Sequence, residues 1–124
     1  MSLSRIVDTN AWRHYFQRKT RPHPIVSDVQ ALMTAGGALI HPVVAGEVLL
    51  GGVDPYDAFD GLPWVESFPD MTVLTWLRGF PRPVLQKVGW ADCQIAYAAY
   101  AYEVEVLTAD AGLVSFMTKL SQQG

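Results

Sequence analysis

Short apolar runs alternate along the chain with stretches whose apolar residues recur at spacings of three and four, the pattern of strands handing over to helices. Ser4 to Val7 reads as a buried strand, after which Trp12, Tyr15 and Phe16 share one face of a helix from about Asn10 to Arg18. Pro22 and Pro24 break the chain into a loop. Ser27 and Asp28 open a second helix with Val29, Leu32 and Met33 on one face, and Gly36-Gly37 ends it. Ala38 to His41 is a buried strand by its composition, and Pro42 starts a helix that runs to about Leu50 and stops at Gly51-Gly52. Asp54-Pro55 caps a short helix carrying Tyr56, Phe59 and Leu62. Trp64 to Phe68 is expected as a strand, Asp70 as the cap of a helix to about Leu77, and Arg78 to Pro83 as a loop held irregular by its prolines. Trp90 to Tyr102, rich in alanine, makes a helix with Ile95, Ala96, Ala99 and Tyr102 on its apolar face. Glu103 to Thr108 is the last strand and Gly112 to Leu120 the last helix. Strands alternating with helices imply parallel crossovers, hence an α/β fold: a three-layer α/β/α sandwich around a central parallel sheet.

Composition bounds this picture. With 124 residues, half of them apolar, one core and a single domain over 1–124 are expected. The lone cysteine, Cys93, excludes an internal disulfide framework. The chain also starts without a basic segment followed by a long apolar one, and the two features together point to the cytoplasm. No apolar run is long enough to span a bilayer, so no membrane association is expected. A net charge of -3 argues against a protein that holds nucleic acid mainly by a basic surface. Yet Arg13, Arg18, Lys19 and Arg21 supply four of the nine Lys and Arg residues, interleaved with His14, Tyr15 and Phe16. That cluster is either a solvated helix face or a set of RNA phosphate contacts.

Charged residues make up only 17% of the chain, which makes four isolated acids conspicuous. Asp8 is the only formal charge between Ile6 and Trp12, Glu47 between Val29 and Val53, Asp92 between Val88 and Tyr102, and Asp110 between Val106 and Thr118. Asp8 and Asp110 directly follow strands, Glu47 lies a helical turn into the helix after one, and Asp92 opens the alanine-rich helix. Parallel winding brings such positions to one edge of the sheet, where ligands collect in open α/β folds. Carboxylates gathered there repel one another and lose hydration unless a cation neutralises them. Oxygen-only ligands suit Mg²⁺ or Mn²⁺, one ion or two, and the scattered His14, His23 and His41 do not suggest zinc. Such a cage suits phosphodiester hydrolysis, with Asp8 and Asp92 as direct ligands, Glu47 as ligand or orienter of a water, and Asp110 at a second metal or acting through water. Thr9, Asn10 and Thr108 are candidates for hydrogen bonds that orient these acids. For any one acid the plain alternative is a helix cap or dipole partner, which suits Asp92 well and the mid-helix Glu47 badly. Cys93, with no base beside it, reads as packing.

Val7-Asp8-Thr9-Asn10-Ala11-Trp12, His41-Pro42-Val43-Val44-Ala45-Gly46-Glu47, Gly89-Trp90-Ala91-Asp92 and Leu107-Thr108-Ala109-Asp110-Ala111-Gly112-Leu113 resemble, in order, the four acidic motifs of PIN-domain ribonucleases. The resemblance runs over nearly the whole chain and is nearest to the VapC toxins of bacterial toxin–antitoxin pairs. It implies a PIN-like fold and an endoribonuclease dependent on Mg²⁺ or Mn²⁺ that cuts structured RNA such as tRNA or rRNA. It also implies a homodimer, silenced by a small antitoxin whose C-terminal segment fills the acidic cleft. Carried over by position, the acidic site is Asp8, Glu47, Asp92 and Asp110. Two departures stand out: Ala111-Gly112 replaces the basic residues many relatives carry after the fourth acid, and no final edge strand is expected after Leu120.

Two other classes fit less well. A PIN-like module that binds RNA or protein without cutting is motivated by the weakly basic surface. A phospho-accepting receiver domain needs a strand-end lysine near the acids, and neither Lys19, Lys87 nor Lys119 is expected there.

Overall fold

The computed structural model describes residues 3–123. Its element order is β1 (Arg5–Val7), α1 (Thr9–Phe16), α2 (Ile25–Ala35), β2 (Ala38–Leu39), α3 (Pro42–Leu50), α4 (Pro55–Ala58), α5 (Asp70–Leu77), α6 (Arg82–Leu85), α7 (Trp90–Tyr102), β3 (Glu105–Leu107) and α8 (Ala111–Gln123). The strands form one parallel sheet in the order β2-β1-β3. Arg5 and Ile6 stand opposite Ala38 and Leu39 on one side, and Arg5, Ile6 and Val7 opposite Glu105, Val106 and Leu107 on the other. The α/β class read from the alternating pattern is the class the structure has, built on a small open sheet. Ile6 and Val7 are wholly buried because β1 is the central strand.

Local chemistry explains most element boundaries. Asp8 caps α1, accepting from the Thr9 N–H at 2.8 Å, and Trp12 one turn on is fully buried with its ring centroid 4.6 Å from that of Phe59. Gly36 ends α2 with φ +74°, a left-handed turn that a residue with a Cβ adopts only at a cost of about 1 kcal/mol. His41 caps α3: its Nδ1 accepts from the Val43 N–H at 3.0 Å, and Pro42 occupies the first helical position, where no N–H is needed. In α7 the residues Ile95, Ala96, Ala98 and Ala99 are buried, and the small side chains let the helix lie against β1, β3, α3 and α5. One apolar cluster fills the space between the sheet and α1, α2, α3, α4 and α7; a second, around Val73, Leu113 and Phe116, joins α5 to α8.

Four expectations need correction. Trp64 to Phe68 is not a strand: a single parallel bridge pairs Ile40 with Trp64, after which the Glu66 N–H donates to the Tyr102 hydroxyl at 2.9 Å instead of to a backbone carbonyl. Tyr102 is therefore 40% exposed at the end of α7 rather than part of its buried face. The stretch ending at Pro83 is not wholly loop, since Arg82 and Pro83 open α6, whose second position tolerates a proline. Finally, α2 begins at Ile25, ahead of Ser27, because His23 Nδ1 accepts from the Ile25 N–H at 3.0 Å and supplies the missing cap.

Candidate active site

All three strands point the same way, so their carboxyl ends and the residues just beyond them share one edge. Asp8 leaves β1 there, Thr108 to Asp110 leave β3, and His41 leads from β2 into α3, which carries Glu47. A backbone bond from the Asp8 N–H to the Leu107 carbonyl, 2.9 Å, ties the first two together.

Side chains then weld the edge into a network. The Thr108 hydroxyl donates to Asp8 Oδ2 at 2.8 Å, while the Thr9 N–H donates to Asp8 Oδ1. The Thr9 hydroxyl donates to Glu47 Oε1 at 2.7 Å, which fixes the mid-helix acid that capping could not explain. Asn10 Oδ1 accepts from the Ala109 N–H at 2.9 Å and lies 3.2 Å from the Thr108 hydroxyl. Thr108 in turn accepts from the Asp110 N–H at 3.0 Å. The three polar residues singled out beside the acids thus each touch one of them or the loop that carries it. Asp110 Oδ1 accepts from the Gly112 N–H at 2.8 Å and so caps α8. A Cβ at Gly112 would sit 3.1 Å from that oxygen, which gives a physical reason for glycine at this position.

Asp92 completes the group from the first turn of α7 and, among the described residues, has no hydrogen bond to its carboxylate. Burial raises its pKa above the ordinary 3.8, and the charges of Asp8, Asp110 and Glu47 raise it further. Asp8 is also pushed up, chiefly by burial; the bonds from Thr108 and Thr9 oppose the rise, and the charges of Glu47 and Asp110 add to it. Four acids from four segments therefore feel one another across one site. Among the described residues the one ion pair is Arg5 with Glu105 at 3.5 Å, so no Lys or Arg neutralises any of the four.

The donor set, all oxygen and short of positive charge, fits a hard divalent cation. Among the described residues no three His, Cys, Asp or Glu side chains are gathered tightly enough to hold an ion as they stand. Mg²⁺ is commonly held by one or two carboxylates with waters completing its shell, so such a triplet is not a requirement. Cys93 is buried beside Asp92, and burial together with that charge raises its thiol pKa, the reverse of an activated nucleophile. His41 is buried as a cap, and His14 and His23 stack on each other with ring centroids 3.8 Å apart.

Arg18, Lys19 and Arg21 lie beyond the far end of α1, roughly 12 Å of helix from its capping Asp8. Arg18 is engaged locally, donating to the Tyr15 carbonyl and lying 4.0 Å from that ring's centroid; Arg13 is exposed along the helix. Two lysines stand closer. Lys87 and Lys119 line a cavity of about 320 Å³ together with Asp92 and Asp110, though neither is at a strand end: Lys87 lies between α6 and α7 and Lys119 on α8. The i, i+3, i+7 spacing of Gly112, Ser115 and Lys119 was the available sign for one of them. A roomier cavity of about 540 Å³, walled by Trp76, Phe80, Tyr100 and Met117, contains none of the four acids. No helix among the described residues is long and apolar enough to cross a membrane. Comparison with models of known protein families and with curated protein sequences gave no match.

Proposed function

We propose that this chain is a metal-dependent endoribonuclease with a PIN-like three-layer α/β/α architecture, a toxin of the VapC kind acting on structured RNA such as tRNA or rRNA. The observation that carries the reading is the meeting of Asp8, Glu47, Asp92 and Asp110 at one sheet edge without a basic partner, two of them with pKa values raised in part by the others' charges. That crowding is tolerable in a working protein when a bound cation offsets it.

In this reading Asp8 and Asp92 hold Mg²⁺ or Mn²⁺, with Glu47 and Asp110 as further ligands or acting through water. The ion supplies charge neutralisation at the phosphodiester and a lowered pKa for the attacking water. The chain's own part is positioning. Thr108 and the Thr9 N–H fix both oxygens of Asp8, so its carboxylate is oriented before anything binds. Thr9 engages one oxygen of Glu47 and leaves Oε2 to accept the proton that the nucleophilic water releases. Asp110, exposed and holding the start of α8 with Oδ1, keeps Oδ2 for a water or a second ion.

The proposal extends to the cytoplasm, to a homodimer and to a small antitoxin that covers the acidic edge. The test is incubation of the purified chain with a mixed RNA pool and Mg²⁺ or Mn²⁺, beside an Asp8→Asn twin. Cleavage by the wild type alone is expected. Equal cleavage by both excludes the site, and RNA binding without any cleavage favours a non-cutting binding module.

A further inference from the structure

The cleft beside Asp92 and Asp110 has a second lining of opposite sign. Lys87, between α6 and α7, and Lys119, on α8, stand in its wall with Ser115. On α8, Gly112, Ser115 and Lys119 form one stripe along the cleft, with buried Leu113 and Phe116 forming its apolar floor and Leu120 packed in the core. The lysine is therefore carried by a helix anchored from behind.

Opposite charges that share a cleft ordinarily close into ion pairs. Here they do not, since the one ion pair among the described residues is elsewhere. Among those residues neither ammonium is neutralised, and neither is any of the acids. A ligand able to satisfy both sides must offer negative charge to the lysines while reaching the carboxylates through a cation. A chain of phosphodiesters does both: one phosphate meets the acids through a divalent ion and its neighbour meets the lysines.

We propose that Lys87 and Lys119 bind the RNA phosphate next to the scissile one and so set the register of the strand in the cleft. This assigns the grip on substrate to the α6–α7 junction and α8, in place of Arg13, Arg18, Lys19 and Arg21 along and beyond α1. The inference rests on the endoribonuclease reading of the acidic edge.

The experiment measures binding of the full chain to a fluorescein-labelled single-stranded RNA of mixed sequence, by anisotropy over a salt series in EDTA. Cleavage kinetics are followed in parallel with Mg²⁺. Lys87→Gln and Lys119→Gln should each reduce the steepness of log affinity against log salt by about 0.7, and the double variant should bind on the order of tenfold more weakly. Its KM should rise accordingly with kcat little changed, whereas a double variant with Arg18→Gln and Lys19→Gln should match the wild type in both assays. Lys87 sits at φ +64°, a backbone conformation that glycine adopts freely. Lys87→Gly should therefore melt no lower than the wild type and still lose affinity, which separates lost contact from lost fold.

A lysine double variant that keeps wild-type affinity and salt slope overturns the inference, as does a wild-type chain with no RNA binding at low salt. Lysine-dependent binding by a chain that cuts nothing upholds the lysines' grip on RNA phosphate and removes the nuclease reading, and with it the placement of that grip beside a scissile bond. Cleavage that needs Asp8 but not the lysines does the reverse.

Discussion

Asp8 and Asp110 both come directly after a parallel strand, yet Asp8 is 6% exposed with both carboxylate oxygens held by protein donors, while Asp110 stands in solvent and caps a helix. The difference comes from where each strand lies. β1 is the centre of the sheet, so the residue at its carboxyl end is covered on both sides; β3 is an edge. The acidic site thus has a rigid half, built from Asp8, Thr9, Glu47 and Thr108, and an open half, built from Asp92, Asp110 and the two lysines. Rigid, desolvated groups suit the chemistry, and exposed ones suit a mobile substrate.

Breaking the rigid half should have the largest effect. Asp8→Asn should lower the cleavage rate at least on the order of 10²-fold, as losses of a principal charge-stabilising group do. The same change should make the fold more stable. Asp8 has its pKa raised on folding, so its contribution favours the native state below about its ordinary 3.8 and is lost as pH rises through the folded value. Removing the charge should raise the melting temperature near neutral pH. An Asp8→Asn protein that melts lower than the wild type contradicts the electrostatic account.

Next in size is Thr108→Val, which keeps the shape and removes the donor to Asp8 Oδ2. Losing a bond that orients a candidate metal ligand should reduce divalent-ion affinity or activity roughly 10–100-fold, with Thr108→Ser restoring most of it. Isothermal titration with Mn²⁺ separates this from a change in RNA binding.

The cap of α3 gives a pH test of opposite sign. Burial lowers His41 to about 4 from its ordinary 6.5, so the neutral ring, whose Nδ1 accepts the Val43 N–H, is the folded form. The unfolded chain takes up the proton first as pH falls. Stability from this group is therefore complete above about 6.5 and lost as pH falls through 4, by roughly 3 kcal/mol in all. Thermal melts between pH 7.5 and 4 should show that loss in the wild type and a flatter acid limb in His41→Asn.

The smallest effect should come from the open half. Gly112→Ala places a Cβ 3.1 Å from Asp110 Oδ1 and should disturb the α8 cap by ~0.5–1 kcal/mol, with only a few-fold change in cleavage. A loss as large as that of Asp8→Asn would mean that the two halves are equally exacting.

Much of this was legible in the residues. Isolated acids in apolar stretches identified Asp8, Glu47, Asp92 and Asp110, and their short polar neighbours Thr9, Asn10 and Thr108, because few other reasons exist to interrupt a buried run with a charge. Proximity along the chain did not decide which basic residues share the acids' cleft. Arg18, Lys19 and Arg21 come soon after Asp8 in sequence, but a helix moves them away at 1.5 Å per residue. Lys119 is nine positions past Asp110, yet two turns of helix after Gly112 bring it back to the face that lines the cleft. Trp64 to Phe68 has the composition of a strand, but Pro63 and Pro69 flank it and Tyr102 takes its next N–H, a competition no local pattern reveals.

The sequence alone determined most of the places where strands end and helices begin, α6 and the start of α2 excepted, because caps, prolines and glycines act on their immediate neighbours through backbone geometry. It also determined which charges were out of place, since burial of a run is written in its own composition. Only the tertiary structure decided that Asp8 is central and Asp110 marginal, that Thr9 reaches Glu47, and that two lysines share the acids' cleft without pairing to them. Those facts depend on strand order and helix packing, which arise from contacts between residues far apart in the chain.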